Sequence, residues 1–119
     1  MLKDDFILEQ TELLTRFLKT ILFQNKENKE LLIDQYPFEG KTLDLQAELV
    51  RLIVDEDYNQ AENLLFEALE KETTTELLRL SVWFYNRLLQ IDSETLEKNN
   101  FSMDEILEGL QEIEKLAVL

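Results

Sequence analysis

The sequence predicts an all-α fold of five or six helices arranged as antiparallel hairpins, with no strand. Apolar residues recur at spacings of three, four and seven, which places them along one face of a helix. One proline and two glycines interrupt the chain, so few positions force a helix to end. The length of 119 residues predicts a single domain, residues 1–119, that is large enough to bury a core.

The first helix is predicted from a broad apolar stripe near the start of the chain. Its members share one helical face: Phe6, Ile7, Leu13, Leu14, Phe17, Leu18 and Ile21. Residues 24–30 are wholly polar, and the apolar pattern then returns in phase at Leu31, Leu32 and Tyr36. Residues 24–30 are therefore either helix or linker. A bend or break near Asn25 is favoured, because these polar turns lack apolar contacts.

The clearest boundary is the segment 36–40, in which a proline is followed three residues later by a glycine. Proline disfavours helical angles in the residue before it, and glycine accepts a left-handed turn. Thr42 is expected to cap the next helix. The apolar positions of that helix are Leu45, Leu49, Leu52 and Ile53.

Three later helices are predicted from paired residues at the spacing of a capping box. The pairs are Asp57 and Gln60, Thr73 and Glu76, and Ser102 and Glu105. The second of these helices is expected to run to about Ile91. Phe101 and Ile106 are placed to form a hydrophobic staple across the start of the last helix. Gly109 lies inside that helix and costs about 1 kcal/mol relative to alanine, so either a close helix approach compensates or the cost is tolerated.

The stretch from Leu77 to Ile91 is apolar on nearly every side, which is typical of a helix covered by several neighbours. We therefore predict that this helix lies at the centre of the fold. Its aromatic residues Trp83 and Tyr85 allow two interpretations, ligand stacking or core packing. Core packing is favoured because aromatic side chains dominate protein interiors.

The acidic segment 55–69 also allows two interpretations, a calcium-binding loop or the start of a packing helix. Asp55, Asp57 and Asn59 match the first, third and fifth ligand positions of a twelve-residue calcium loop. That loop requires glycine at its sixth position and glutamate at its twelfth, where this chain has Gln60 and Phe66. Calcium binding is therefore not predicted, and no metal ligand is assigned.

The helical interpretation explains the same segment through Tyr58, Ala61, Leu65 and Ala68, which are spaced three, four and three residues apart. With the preceding helix, this pattern resembles one tetratricopeptide repeat unit at about residues 42–72. The preceding helix departs from the repeat, because Glu48 and Leu49 fall where leucine and glycine are usual. Three or more units are normally needed for a solenoid, so the resemblance implies one helical hairpin, and a peptide-binding groove cannot be carried over from a single unit.

A second resemblance covers more of the chain. The opening MLKDDFILEQ, its amphipathic continuation and the acidic, helix-forming remainder are similar to a bacterial family of short proteins of uncharacterised function. The resemblance implies a bacterial cytoplasmic protein and adds no mechanism.

The charge balance argues against several partners. The chain has 26 acidic and 12 basic residues, and the net charge of −14 repels a phosphate backbone, so no nucleic acid is expected. A solvated surface explains the acidity, and binding of a basic partner as a mimic of a polyanion is the alternative. No uncharged run approaches membrane-spanning length, and the opening Lys3-Asp4-Asp5 is unlike a signal peptide. We therefore expect a cytoplasmic protein with no membrane partner.

The residue types argue against most catalytic sites. The chain has no cysteine and no histidine, so the usual nucleophiles, relay bases and metal ligands are missing. It also lacks a glycine-rich phosphate loop. We expect no enzyme activity, no catalytic residue and no cofactor, and a carboxylate-based enzyme or cation binder is the alternative.

The predicted function is non-catalytic association with another protein or with a copy of the same chain, for example as a dimer. The candidate interface is a row on the first helix: Leu14, Phe17, Leu18, Ile21 and Leu22. This row is wide for a terminal helix with a single neighbour, although it also suits a helix that only covers the core. Two-fold self-association would use the same surface on both chains.

Overall fold

The computed structural model describes residues 2–23 and 33–118, and these residues form α-helices and one short 3-10 helix with no strand. The elements are α1 (Leu2–Phe23), the 3-10 helix (Ile33–Gln35), α2 (Gly40–Val54), α3 (Tyr58–Lys71), α4 (Thr75–Leu88), α5 (Ser93–Lys98) and α6 (Met103–Val118). The predicted all-α fold class is confirmed. The question of helix or linker at residues 24–30 lies outside the described residues.

Helix α4 lies at the centre of the fold, as predicted, because it packs against α1, α2, α3 and α6. Its side chains Leu80, Val82 and Phe84 are fully buried. Trp83 and Tyr85 are also buried, which confirms the core interpretation of these aromatic residues. The core therefore forms around one helix that has neighbours on several sides.

The end of α4 differs from the prediction. The amide of Ile91 donates to the carbonyl of Leu88 at 3.1 Å, a tight turn that ends the helix before residue 91. The next helix, α5, is not predicted by the sequence pattern, because its six residues make fewer than two turns. This short helix covers part of the core with Leu96, which is fully buried.

Helix α2 begins before its expected cap. It starts at Gly40, which has a positive φ of 58°, and the amide of Leu43 donates to the carbonyl of Glu39 at 3.3 Å. This bond closes the first turn around Thr42, so the prediction that Thr42 caps the helix is wrong. Glu39 occupies the cap position with an extended backbone and makes no side-chain capping bond.

Two adjacent threonines, Thr73 and Thr74, lie in the connection between α3 and α4. The hydroxyl of Thr74 accepts a hydrogen bond from the amide of Leu77 at 3.1 Å and caps α4. The hydroxyl of Thr73 donates to the carbonyl of Leu69 at 2.9 Å, in the last turn of α3. The predicted cap at Thr73 is therefore one residue early.

The predicted start of α6 is confirmed. The amide of Ser102 donates to Oε2 of Glu105 at 2.7 Å, and the amide of Glu105 donates to Oγ of Ser102 at 3.3 Å. This reciprocal pair is a capping box. Phe101 and Ile106, the predicted staple residues, are both buried beside it. By contrast, Asp57 precedes α3 without a side-chain capping bond.

Helix α3 confirms the helical interpretation of residues 55–69. Tyr58, Ala61, Leu65 and Leu69 are buried along one face, and α3 packs against α2. The hairpin of α2 and α3 is therefore present, and its likeness to a tetratricopeptide repeat unit stays a prediction.

The turns that follow α2 and α5 are bonded to each other. Each contains a non-glycine residue with a left-handed backbone, Glu56 (φ 60°) or Asn100 (φ 59°), as in a helix C-cap. The side chain of Asn99 donates to Oε1 of Glu56 at 3.1 Å. The side chain of Asn59 donates to the carbonyl of Asn100 at 3.0 Å. These bonds tie the α2–α3 hairpin to the end of α5.

Candidate functional site

Exposed apolar side chains are concentrated on α1. In the part of the chain that the structure describes, eight large hydrophobic side chains are exposed, and five of them belong to this helix. The five are Phe6, Leu8, Leu13, Phe17 and Ile21. The other three, Leu43, Val54 and Val118, are divided between α2 and α6. Such a concentration on one element is typical of an interaction surface.

Most of these residues line one side of α1. At 100° per residue, five exposed positions fall within an arc of about 80°. These five, which we call the α1 face, are Phe6, Gln10, Leu13, Phe17 and Ile21. The buried residues Thr11, Leu18 and Leu22 are centred about 120° away around the helix. Helix α1 therefore has one side in the core and a second, largely apolar side in solvent.

A groove runs between the α1 face and α6, which pack against each other. Its volume is about 340 Å³. It is lined by Gln10, Leu13, Leu14 and Phe17 from α1 and by Leu107, Gln111 and Glu114 from α6. Leucine and phenylalanine side chains alternate here with amides and one carboxylate. This combination suits the apolar face of an amphipathic helix, with the polar edges of that helix against the amides and the carboxylate.

The predicted interface residues are divided between this surface and the core. Phe17 and Ile21 are each 44% exposed and belong to the α1 face. Leu14 is half-buried and lines the groove. Leu18 and Leu22 are buried, with exposed fractions of 0% and 7%, so they belong to the core instead. Only the part of the apolar stripe that turns away from the core remains accessible.

A second group of side chains lies where α3, α4 and α6 meet. The buried hydroxyl of Tyr85 donates to Oε2 of Glu62 at 2.5 Å. Burial raises the pKa of Glu62, and the bond from Tyr85 opposes that rise. The charges of Glu105 and Glu108 on α6 raise the pKa of Glu62 further. Burial and the neighbouring Glu62 also raise the pKa of Tyr85.

This second group has a structural explanation. The carboxyl of Glu62 supplies the acceptor that a buried phenol needs, and the missing side chain of Gly109 leaves room for the Tyr85 ring. Among the residues that the structure describes, no three His, Cys, Asp or Glu side chains are grouped so that they could hold a metal ion.

A third polar group, which we call the Arg79 junction, joins α4 to two other stretches of chain. Arg79 donates from Nε to the carbonyl of Leu22 at 2.6 Å and from Nη1 to the hydroxyl of Tyr36 at 2.9 Å. Arg79 also pairs with Glu76 at 2.5 Å, and the hydroxyl of Tyr36 donates to Glu76 at 2.7 Å. The Tyr36 ring lies under the guanidinium and packs edge-on against Phe23, with centroids 5.2 Å apart. The Arg79 junction therefore ties α4 to the end of α1 and to the segment around Tyr36.

One family model covers almost the entire chain. Residues 1–118 match a family of unknown function, DUF6483. The chain belongs to this family. No curated protein and no solved structure matches this chain. None of the helices described in this DUF6483 protein is both long enough and apolar enough to cross a membrane.

Replacing Glu62 with glutamine is expected to flatten the pH dependence of stability in this DUF6483 protein. A carboxyl whose pKa rises on folding stabilises the folded state fully below its ordinary pKa of 4.5, and this contribution is lost as the pH rises through the raised value. The variant should therefore gain stability relative to wild type between about pH 4 and pH 7. We expect a gain below about 1 kcal/mol, because the carboxyl is partly exposed to solvent.

Urea unfolding at several pH values measures this difference. Glu67→Gln removes an exposed carboxylate from the same helix and serves as the control, with an expected change of less than about 0.5 kcal/mol. A Glu62→Gln variant that loses stability relative to wild type as the pH rises would contradict the raised pKa.

Proposed function

We propose that this DUF6483 protein is a non-catalytic binding protein that associates with another protein chain through the α1 face and the adjoining groove. The observation that carries the proposal is the placement of four of the eight exposed large hydrophobic side chains, Phe6, Leu13, Phe17 and Ile21, on one side of α1. Each Å² of apolar surface that a partner covers contributes about 25 cal/mol. A partner that covers the face therefore gains a hydrophobic driving force.

The surface has the composition of a protein interface. Phe6 and Phe17 provide exposed aromatic rings, and aromatic residues are enriched at such contacts. Gln111 and Glu114 provide a polar edge on the α6 side. The buried residues Leu18 and Leu22 hold α1 on the core, so the face loses little conformational freedom when a partner binds.

The setting of this interaction is part of the proposal. A bacterial cytoplasmic protein is supported by the opening MLKDDFILEQ and by the absence of cysteine. The net charge of −14 favours a partner other than nucleic acid. The α2–α3 hairpin is proposed to be a single tetratricopeptide-like unit on the strength of its Tyr58, Ala61 and Leu65 pattern, and its proposed contribution is packing of the core.

A photo-crosslinking amino acid at position 13 is expected to capture a protein chain, whereas the same group at position 43 is expected to capture none. The two native leucines are matched, because Leu13 is 48% exposed and Leu43 is 47% exposed. Leu13 belongs to the α1 face, and Leu43 lies on α2. Two samples are irradiated, the purified variant alone and cells of the native organism that express the variant. The crosslinked chains are identified by mass spectrometry.

A second substitution tests whether the captured chain lies on the face. Phe17→Glu should reduce the yield of the crosslink from position 13 at least about fivefold, because burial of an unpaired carboxylate in an apolar contact has a large free-energy cost. Equal capture from positions 13 and 43, or no captured protein from position 13 in either sample, would rule out the proposed surface.

A further inference from the structure

We propose that the chain bound to the α1 face is α1 of a second copy, packed antiparallel across a two-fold axis. This inference rests on the proposed function and names the partner. It is supported by the spacing of the apolar residues and by the charges beside them.

The α1 face has the spacing of a coiled-coil seam. Its exposed residues Phe6, Gln10, Leu13 and Phe17 are four, three and four residues apart, as successive d, a, d and a positions of a heptad are. In an antiparallel pair, an a residue packs in the same layer as a d residue of the other helix. Phe6 then meets Phe17 of the second copy, and Gln10 meets Leu13 of the second copy.

A single alignment satisfies all of these layers. The pairing of residue 6 with 17 and the pairing of residue 10 with 13 share one centre, between Thr11 and Glu12. A shared centre is the condition for a two-fold interface in which both copies use the same surface. The two central layers each contain the amide of Gln10, and a polar residue at an a position fixes the register of such a pair.

The charges along one edge of the face are also self-complementary. Glu9 and Arg16 are seven residues apart, about two helical turns, and lie on the edge of the face opposite the groove. Both are exposed, and neither is paired with another residue that the structure describes. In the antiparallel alignment this edge meets the same edge of the second copy, so Glu9 of each chain faces Arg16 of the other.

A parallel alignment would not use these charges. It would place the edge of Glu9 and Arg16 against the groove-side edge of the second copy, which carries Ile7, Leu14 and Ile21. The two opposite charges at a spacing of seven therefore favour the antiparallel orientation.

The overall charge of −14 on each copy opposes self-association. Helix α1 is nearly balanced, however, with three acids and two bases between residues 5 and 23. At about 0.15 M salt the Debye length is about 8 Å, so distant charges are screened while Glu9 and Arg16 remain in contact. Association should accordingly be measured at this ionic strength.

The test exchanges the two charges. Wild type is expected to form a concentration-dependent dimer in sedimentation equilibrium. Glu9→Arg and Arg16→Glu each replace two attractions with two like-charge contacts, so each variant alone should dimerise about tenfold more weakly. An equimolar mixture of the two variants should recover the wild-type dissociation constant, because both contacts become attractive again. The double variant Glu9→Arg/Arg16→Glu should recover it as well.

The neutral variants Glu9→Gln and Arg16→Gln provide a milder comparison, with an expected weakening of about threefold. Equal melting temperatures of the dilute monomers show that each variant is folded. A wild-type chain that stays monomeric at its highest soluble concentration overturns the inference, as does a mixture that associates no better than its components.

The outcome is distinguishable from failure of the proposed function. If position 13 is crosslinked to a different protein while wild type remains monomeric, the α1 face is a binding surface and only its partner is misidentified. If position 13 captures no chain, both proposals fail. A crosslink between two copies that is lost in each charge variant and regained in their mixture supports both.

Discussion

Gly109→Ala is expected to lower the free energy of unfolding by about 2–4 kcal/mol, even though alanine forms helices better than glycine. A Cβ atom at this position would lie 2.8 Å from Cε1 of Tyr85 and closer still to its hydroxyl oxygen. The Tyr85 side chain is fully buried, so its ring has no free space into which to move. The overlap has to be relieved by displacing α4 or α6, or by expelling the ring.

The loss includes a hydrogen bond as well as packing. Displacement of the Tyr85 ring lengthens the 2.5 Å bond from its hydroxyl to Glu62. A buried donor that loses its acceptor costs about 1–3 kcal/mol. The helix preference of alanine returns only about 1 kcal/mol, so the steric and polar costs dominate.

Urea unfolding of Gly109→Ala and Gly40→Ala measures the effect with an internal control. Gly40 has a positive φ, and no atom lies within 4 Å of the position that a Cβ would take, so alanine there meets backbone strain alone, at about 1 kcal/mol. The two glycines of the chain thus separate the need for space from the need for backbone freedom. A Gly109→Ala variant at least as stable as wild type would show that α4 and α6 are not packed this closely.

Tyr85→Phe tests how much of the loss comes from the hydroxyl oxygen, which is the Tyr85 atom nearest to the added Cβ. On its own, this change removes the hydrogen bond to Glu62 and should cost about 1–2 kcal/mol. Combined with Gly109→Ala, it should cost less than the sum of the two single changes, because the overlap with the hydroxyl is absent and its hydrogen bond to Glu62 is lost only once, although the overlap with ring atoms Cζ and Cε1 remains. Additive costs would place the damage somewhere other than at this contact.

The helices are predictable because their signals are local. The central position of α4 follows from residues such as Leu80 and Phe84, which are apolar on different sides of one helix. The capping box of Ser102 and Glu105 is equally local, since both partners lie within one turn. Neither prediction requires knowledge of how the chain folds back on itself.

The exact helix starts are less predictable, because neighbouring residues offer the same chemistry. Thr73 and Thr74 both carry a hydroxyl at the boundary of α3 and α4, and the choice between them depends on the bond from Thr73 to Leu69. At α2, the backbone of Gly40 and Glu39 begins the helix before the hydroxyl of Thr42 is available. Such differences of one or two residues are set by the geometry of the connections.

The α1 face is only partly predictable. The apolar stripe is visible in the sequence, but its division between core and solvent depends on where α4 and α6 pack. The sequence pattern therefore predicts Leu18 and Leu22 as interface residues, whereas the structure places them in the core. Phe6 and Leu13 are exposed and lie in phase with the apolar stripe. The stripe is therefore wider than the core can cover, and this width is the sign in the sequence that part of the stripe stays exposed.

The Arg79 junction is not predictable from local pattern at all. Arg79 bonds to Leu22, which is 57 residues away, and to Tyr36, which is 43 residues away. The nearby Glu76 suggests only an ordinary ion pair within one helix turn. The long-range partners follow from the return of the chain past α4, which no spacing rule specifies.

Arg79→Ala is expected to lower the free energy of unfolding by about 2–3 kcal/mol, because one hydrogen bond that involves a charged group contributes about 1.5–3 kcal/mol and the partly exposed pair with Glu76 adds little to it. The change leaves the carbonyl of Leu22 without this donor and removes the guanidinium from the Tyr36 ring. Arg79→Lys should recover only part of the loss, since an ammonium cannot reach both acceptors in the planar geometry of a guanidinium.

Arg51→Ala is the matched control for this measurement. Arg51 also pairs with two acids, Glu48 and Asp55, but its side chain is 58% exposed whereas that of Arg79 is 28% exposed. Exposed ion pairs contribute about 0–1 kcal/mol, so Arg51→Ala should change the stability little. Urea unfolding at pH 7 compares the two variants, and equal losses would mean that the Arg79 junction behaves as a surface ion pair and does not hold α1 and the segment around Tyr36 against α4.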